Sequence, residues 1–352
     1  AIAALNQGST GIKGTVYLYA GDYFLSDKIF LKSSIDIIGM NKYDTRLQAG
    51  FNGAPVFITV NNSFQDTVVQ FSRLSNFTIQ RNYSEEIETY SPPYAIYGWF
   101  DHCVFEKLRL DGFSQAGISL NPDNNEGLYG YVNIVQECEI TNNPVGIYMN
   151  EKCFDSYLLS NNIGSSSKNI VIAGGPIRIL HNHLDGNSPQ QPDYNIYSDR
   201  DVRSIVIANN IIENAKKGGV YITRDSKNDS DPNYFTNVSI NSNLIRSENM
   251  LAADTYNYID FVSDGNNPDM RNKGIAITGN LFEQRQGNVL KHAINLENCD
   301  NCTITGNDFS IEGAISSYLP LIKTTNCTDV QICSNANYPD PNVITEALIT
   351  DA

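Results

Sequence analysis

Apolar and polar residues alternate in short runs along most of this chain, and from its middle onward the runs repeat. Ile-x-x-Asn recurs at Ile140 and Asn143, Ile179 and Asn182, Ile207 and Asn210, Ile240 and Asn243, Ile277 and Asn280, Ile304 and Asn307, and Ile332 and Asn335, with Leu159 and Asn162 as a variant. Two residues before each apolar position stands Cys138, Tyr157, Ile177, Ile205, Val238, Ile275, Cys302 or Val330. A spacing of two is the strand period, so each unit predicts a short strand that ends at an Asn. A second apolar run follows: VGIYMN (145–150), KNIVIA (168–173), YNIYSD (194–199), GVYITRD (219–225), YIDFVSD (258–264), HAINLEN (292–298) and LIKTTN (321–326). AIYGWF (95–100) and AGISLN (116–121) fit the same template earlier in the chain. Units of two or three strands joined by turns cannot bury a core alone, but stacked they share one. The pattern predicts an all-β solenoid.

An Asn at one place in successive coils has two physical uses. It tolerates left-handed backbone at a turn. Its amide can also bond the coil above and below, which satisfies polar groups turned inward. The ladder is therefore read as structural.

The opening segment GTVYLYAGDYFL (14–25), followed by KSSIDIIG (32–39), predicts two small strands around a Gly turn. It resembles the first rung of the pectate-lyase-type single-stranded right-handed parallel β-helices, with Ala20 where that motif usually has Pro. The resemblance implies a short N-terminal capping helix at AIAAL (1–5) and one β-helix domain over 1–352. Relatives of that architecture include polysaccharide lyases, glycoside hydrolases, phage tailspike depolymerases and inulin fructotransferases. The tailspike resemblance implies a side-by-side homotrimer and an extracellular, secreted or virion-associated setting. Inulin fructotransferases use an Asp and a Glu on a central coil; Asn161 and Ile172 stand there instead, so no residue is carried over from them.

Composition narrows the partners. The net charge is -15 over 352 residues, which argues against nucleic acid and anionic membrane. No apolar run reaches the roughly 18 residues that a spanning helix needs, so no membrane insertion is expected. The chain opens at Ala1, so a processed piece of a longer protein is the expectation. Seven Asn-x-Ser/Thr sequons (Asn61, Asn76, Asn82, Asn228, Asn237, Asn301 and Asn326) are expected by chance in so Asn-rich a chain.

Unequal coil lengths place the chemistry. Taken at 143, 162, 182, 210, 243, 280, 307 and 335, the Asn positions are separated by 19, 20, 28, 33, 37, 27 and 28 residues. Insertions at 185–192, 246–255 and 283–291 precede the second strand, and those at 224–235 and 264–272 follow it. Loops on both sides of one strand stack make two walls of a groove. If Ile196, Val220, Ile259 and Ile294 point inward, the first outward row is Tyr197, Tyr221, Asp260 and Asn295, and the second is Asp199, Thr223, Val262 and Glu297. Tyr148 extends the aromatic row. Tyrosine faces pack on the apolar faces of sugar rings.

Asp260 and Glu297, one coil and two residues apart, come out roughly 8 Å from each other. Inverting glycosidases hold their carboxylates at ~6.5–9.5 Å, with room for a water. This predicts a hydrolase with Asp260 and Glu297 as acid and base, and Asp199 as a substitute for either. A lyase acting by β-elimination is the alternative, with Tyr221 or His292 as base and Arg224, Arg178 and Lys291 as cations for a uronate. Asp225, Asp229 and Asp231 in RDSKNDSD could add Ca²⁺, although the loop lacks EF-hand spacing. A non-catalytic glycan-binding adhesin is the third reading.

Other features stay structural. His181, His183 and Asp185 suggest a metal at first sight, but they flank an inward Asn, and no metal is assigned. Cys299-x-x-Cys302 has no second CxxC. Repeat alignment stacks Cys299 on Cys327 as buried thiols or one disulfide, and makes Cys138 and Cys302 core. The single Trp99 is either a binding subsite or packing.

Overall fold

A computed structural model describes residues 14–59, 68–82, 90–121, 128–186, 191–200, 202–224, 236–247, 257–264, 271–284, 290–311, 321–338 and 349–350. The proposed capping helix, residues 225–231 of the loop RDSKNDSD, Asp225 among them, and most of the insertions expected to wall the groove lie outside these residues. The described residues form strands and no helix, so none could cross a membrane as a long apolar helix.

The strands build three long parallel sheets, and the chain visits them in turn. Sheet I has 12 strands and begins at Gly14–Leu18; sheet II has 12 and begins at Gly21–Leu25; sheet III has 13 and begins at Ile29–Phe30. Each coil therefore carries three strands. A middle coil runs Ile177–Leu180, His183–Leu184, Tyr194–Ser198, and its neighbour runs Ile205–Ala208, Ile211–Glu213, Gly218–Arg224. The all-parallel order follows from winding one way round the core, and parallel crossovers are overwhelmingly right-handed.

The core is a set of aligned apolar rows. On sheet III, Ile96, Ile118, Ile147, Ile170, Ile196, Val220, Ile259 and Ile294 face inward and have no exposure. Phe282 and Phe309 stack inside at 4.9 Å between centroids. Cys103, Cys138, Cys153, Cys299 and Cys302 are buried, and no disulfide forms among the seven cysteines.

The Asn ladder is present, with two corrections. Its members are Asn161, Asn182, Asn210, Asn243, Asn280, Asn307 and Asn335, at the turn from sheet I to sheet II. Asn161, not Asn162, is the member in its coil. Asn143 belongs to a different turn, after the sheet II strand Glu139–Thr141, where it accepts from the Phe113 N–H. The repeated Ile-x-x-Asn string caught two turns because both follow an inward apolar residue by three positions. The other correction concerns backbone. The left-handed residue is the one before the ladder Asn: Ser160, His181, Asn209, Ser242, Gly279, Gly306 and Ser334 all have φ between 54° and 65°. That turn frees the Asn side chain to point inward and bond along the stack. Asn243 Oδ1 accepts from the Asn210 N–H and Nδ2, both at 2.9 Å, and Asn243 Nδ2 donates to Ile207 O and Asn280 Oδ1.

Candidate functional site

The outer face of sheet III carries the aromatic and carboxylate residues together. Strand register fixes three rows along the axis. One reads Tyr97, Ser119, Tyr148, Val171, Tyr197, Tyr221, Asp260, Asn295, Lys323. A second, two residues on, reads Thr223, Val262, Glu297, Thr325. The third lies on the other side: Lys168, Tyr194, Gly218, Asn257, His292.

Tyr194, Tyr197 and Tyr221 form one patch. Tyr197 and Tyr221 stack at 5.6 Å and 11°. Tyr194 packs on both, at 5.3 Å and 4.9 Å. Lys168 Nζ sits 4.3 Å from the Tyr197 centroid, a cation over a ring face. Gly218 makes room for this patch, since a Cβ there would lie 3.2 Å from the Tyr194 ring. Burial, then neighbouring acidic and phenolic groups, pushes the Tyr194 and Tyr197 hydroxyls up to about 12. Tyr221 is also pushed up, by burial first and Asp260 second.

Asp260 stands at the end of the patch. Asn295 Nδ2 donates to its Oδ1 at 2.8 Å, and Asn257 Nδ2 donates to its Oδ2 at 2.9 Å. The amides hold the carboxylate in one orientation. Glu297 pairs with Val262, two residues past Asp260 on the neighbouring strand, so the Asp260 and Glu297 Cα atoms lie roughly 8 Å apart. Asp199 is exposed and accepts from the Tyr197 hydroxyl at 3.4 Å. Two coils and two residues separate it from Asp260, roughly 12 Å, too far for it to replace either member of the pair.

Several other expected contacts are not on this face. Arg224 is only 3% exposed and donates to the Arg271 carbonyl, so it does not line the groove. Its place near the end of a seven-residue strand turns it inward. His292 does belong to this face, at the end of the third row beside Asn257, but is only 3% exposed. Arg178 belongs to sheet I, stacked 5.1 Å over Tyr157 and donating to its hydroxyl. Sequence alone did not separate the two outward faces. Trp99 is buried and packs rather than presenting a subsite. Tyr148 lines a cavity of about 360 Å³ with Tyr94, Tyr97, Gln115 and Ser119, four to six coils up the same face from Asp260.

Tyr194, Lys168 and Asn257 escaped the alternation reading. On sheet III two consecutive residues point inward: Asn195 and Ile196, like Asn169 and Ile170, are all buried. Strict alternation therefore puts Tyr194 on the wrong side. The signal was the shared offset of Lys168, Tyr194 and Asn257 from the inward Ile.

His183 lies on sheet II, where its Nε2 is 3.4 Å from Glu213 Oε2. His183, Asp185 and Glu213 bring ligand atoms within 4.8 Å of one another, but Glu213 is already bound by Arg246 Nε at 2.5 Å. His181 is an exposed turn residue.

No known protein-family model matches the sequence, and no curated protein matches it either. Solved structures do match in shape. The Streptococcus pneumoniae surface protein and adhesin PfbA superposes with a TM-score of 0.59 at 14% identity, over 97% of this chain and 92% of that one. The A-module of Azotobacter vinelandii mannuronan C-5 epimerase AlgE4 gives 0.60 at 11%, over 93% and 89%. The DFA-IIIase of Arthrobacter chlorophenolicus A6, in complex with GF2, gives 0.62 at 11%, over 96% and 87%. Three parallel sheets, an inward Asn ladder and these likenesses identify the chain as a single-stranded right-handed parallel β-helix.

Proposed function

We propose that this protein is a carbohydrate-active enzyme that hydrolyses glycosidic bonds of an extracellular polysaccharide. The observation that carries the reading is the strand register, which sets the Asp260 and Glu297 Cα atoms roughly 8 Å apart at the end of the Tyr194, Tyr197 and Tyr221 patch. The tyrosine faces hold a sugar ring, and the carboxylates flank the bond beside it. Carboxylates held at ~6.5–9.5 Å admit a water between base and anomeric carbon, so this reading predicts inversion. Asp260 suits the base role, because two amide donors complement a carboxylate and offer no acceptor to a carboxyl O–H. Glu297 then donates its proton to the leaving oxygen. Asp199 and Tyr148 contact sugars farther along the face.

Two points weigh against elimination. A tyrosine base needs its phenol pushed down, and Tyr221 is pushed up. Arg224 and His292 are buried, and Arg178 faces another way. The structural neighbours, which include a DFA-IIIase, a mannuronan epimerase and the Dettilon tailspike protein, fit a carbohydrate partner, and the tailspike and surface adhesin fit an extracellular or virion-associated place.

The test is incubation with bacterial capsules, O-antigens and plant polysaccharides, reading reducing ends and ultraviolet absorbance together. New reducing ends without absorbance, lost in Asp260→Asn and Glu297→Gln, are expected. Growth of absorbance near ~232 nm would make the protein a lyase, the wavelength being that of the unsaturated sugar left when a base removes the proton. Binding without cleavage would make it an adhesin.

A further inference from the structure

Cys299 and Cys327 occupy the same turn position on successive coils, where the chain passes from sheet III to sheet I. Elsewhere that turn stacks one side-chain acceptor against the preceding coil's N–H. The Cys103 N–H donates to Asn133 Oδ1 at 3.1 Å, and the Asn133 N–H to Ser156 Oγ at 3.2 Å. At the C-terminal end sulfur takes this role: the Cys299 N–H donates to Cys327 Sγ at 3.4 Å. The Cys299 thiol contacts both Cys302, on its own coil, and Cys327, on the next.

In-register residues on adjacent parallel strands lie ~4.8 Å apart, inside the ~4.4–6.8 Å Cα window of a disulfide. Cys299 is fully buried, whereas Cys327 is half-buried and reachable from solvent. We infer that the two form a redox-sensitive pair, in which Cys327 reacts with small disulfides such as oxidised glutathione and Cys299 closes a disulfide between successive coils.

The steps balance. The Cys327 thiolate attacks one glutathione sulfur; a Cys327–glutathione bond forms, and the first glutathione leaves as thiolate. The Cys299 sulfur attacks Cys327 Sγ, and the second glutathione leaves, its sulfur taking up the Cys299 proton. Two protein thiols are oxidised and one glutathione disulfide is reduced to two thiols. Local chemistry agrees with this order. The Cys299 contact, largest among the causes, brings Cys327 down to about 7, while burial holds Cys103 and Cys138, which stack against Asn instead, up at about 12.

The test exposes the folded protein to oxidised glutathione, quenches with acid, alkylates in denaturant and maps the peptides. The expected product is lighter by about 2 Da, the two hydrogens lost, with a Cys299–Cys327 linked peptide. Five of the seven cysteines (seven minus two) should then alkylate. Cys302→Ser should leave the result unchanged, and Cys327→Ser should abolish it. Seven free thiols after prolonged exposure, a link to any other cysteine, or a glutathione adduct that persists on Cys327 would each overturn the inference. Because the wild-type chain carries the main readout, a variant that misfolds does not decide the matter.

Discussion

Asn243→Ala tests the ladder where it is deepest. Asn243 and Asn210 are each 1% exposed. The truncation removes the Oδ1 that accepts both the Asn210 backbone N–H and one Asn210 amide hydrogen, each at 2.9 Å. Asn210 keeps its other amide bond, to Ile179 O at 2.8 Å. The Asn243 backbone N–H keeps Asn280 Oδ1 at 3.0 Å. Two donors are thus stranded in the core. Each buried unsatisfied donor costs about 1–3 kcal/mol, so the expected loss is about 2–6 kcal/mol. Unfolding entropy of ~2.1 cal/mol/K per residue, over 352 residues, gives ~0.7 kcal/mol per degree, hence a drop of ~3–8 °C if the solenoid melts as one unit. Asn335→Ala strands the same two donors of Asn307, itself 1% exposed, but the truncated Asn335 is half-buried, so its removal lets water reach them. Its loss should be less than half as large. Calorimetry and urea melts of both variants provide the comparison. Equal shifts at the two positions, or a shift below about 1 °C at Asn243, would refute the claim that buried donor satisfaction is what the ladder contributes.

Other expectations follow from the same geometry. Asp260→Asn and Glu297→Gln should each lower kcat by ~10²–10⁴ with fold retained by circular dichroism, whereas Asp199→Asn should act mainly on KM. Gly218→Val should displace Tyr194 and weaken glycan binding without altering cleavage stereochemistry, checked by affinity and by the anomer first released. Tyr194 and Tyr197 titrate at about 12 in the folded state against an ordinary 10.0, so their contribution is full below pH 10 and is lost as pH rises toward 12. Alkaline melts should show that loss, and a Tyr194→Phe, Tyr197→Phe double variant should flatten it. Alkylation of Cys327 in the folded, reduced protein should reach half its maximal rate near pH 7, while Cys103, Cys138 and Cys153 stay unreactive at that pH.

Much of the architecture was legible because a solenoid repeats its instructions. Ile196, Val220, Ile259 and Ile294 were readable as inward from alternation alone, and with them the row from Tyr197 to Asn295. Alternation failed where sheet III turns two consecutive residues inward, which hid Tyr194 and Asn257. It was also silent about which sheet a strand joins, so Arg178 was credited to a face it does not share. The middle strand of each coil, as short as His183–Leu184, carried too little pattern to be told from a turn.

The left-handed residue before each ladder Asn has a consequence for how such a chain tolerates change. Successive ladder members are 21, 28, 33, 37, 27 and 28 residues apart, yet they meet with hydrogen bonds of 2.9–3.0 Å throughout. All of the surplus length is shed elsewhere in the coil. This corner is a hinge pin that resets the winding once per turn, so a loop grafted, lengthened or cut beside sheet III leaves every later coil in phase. Loops beside sheet III can then be exchanged one at a time on an unchanged spine.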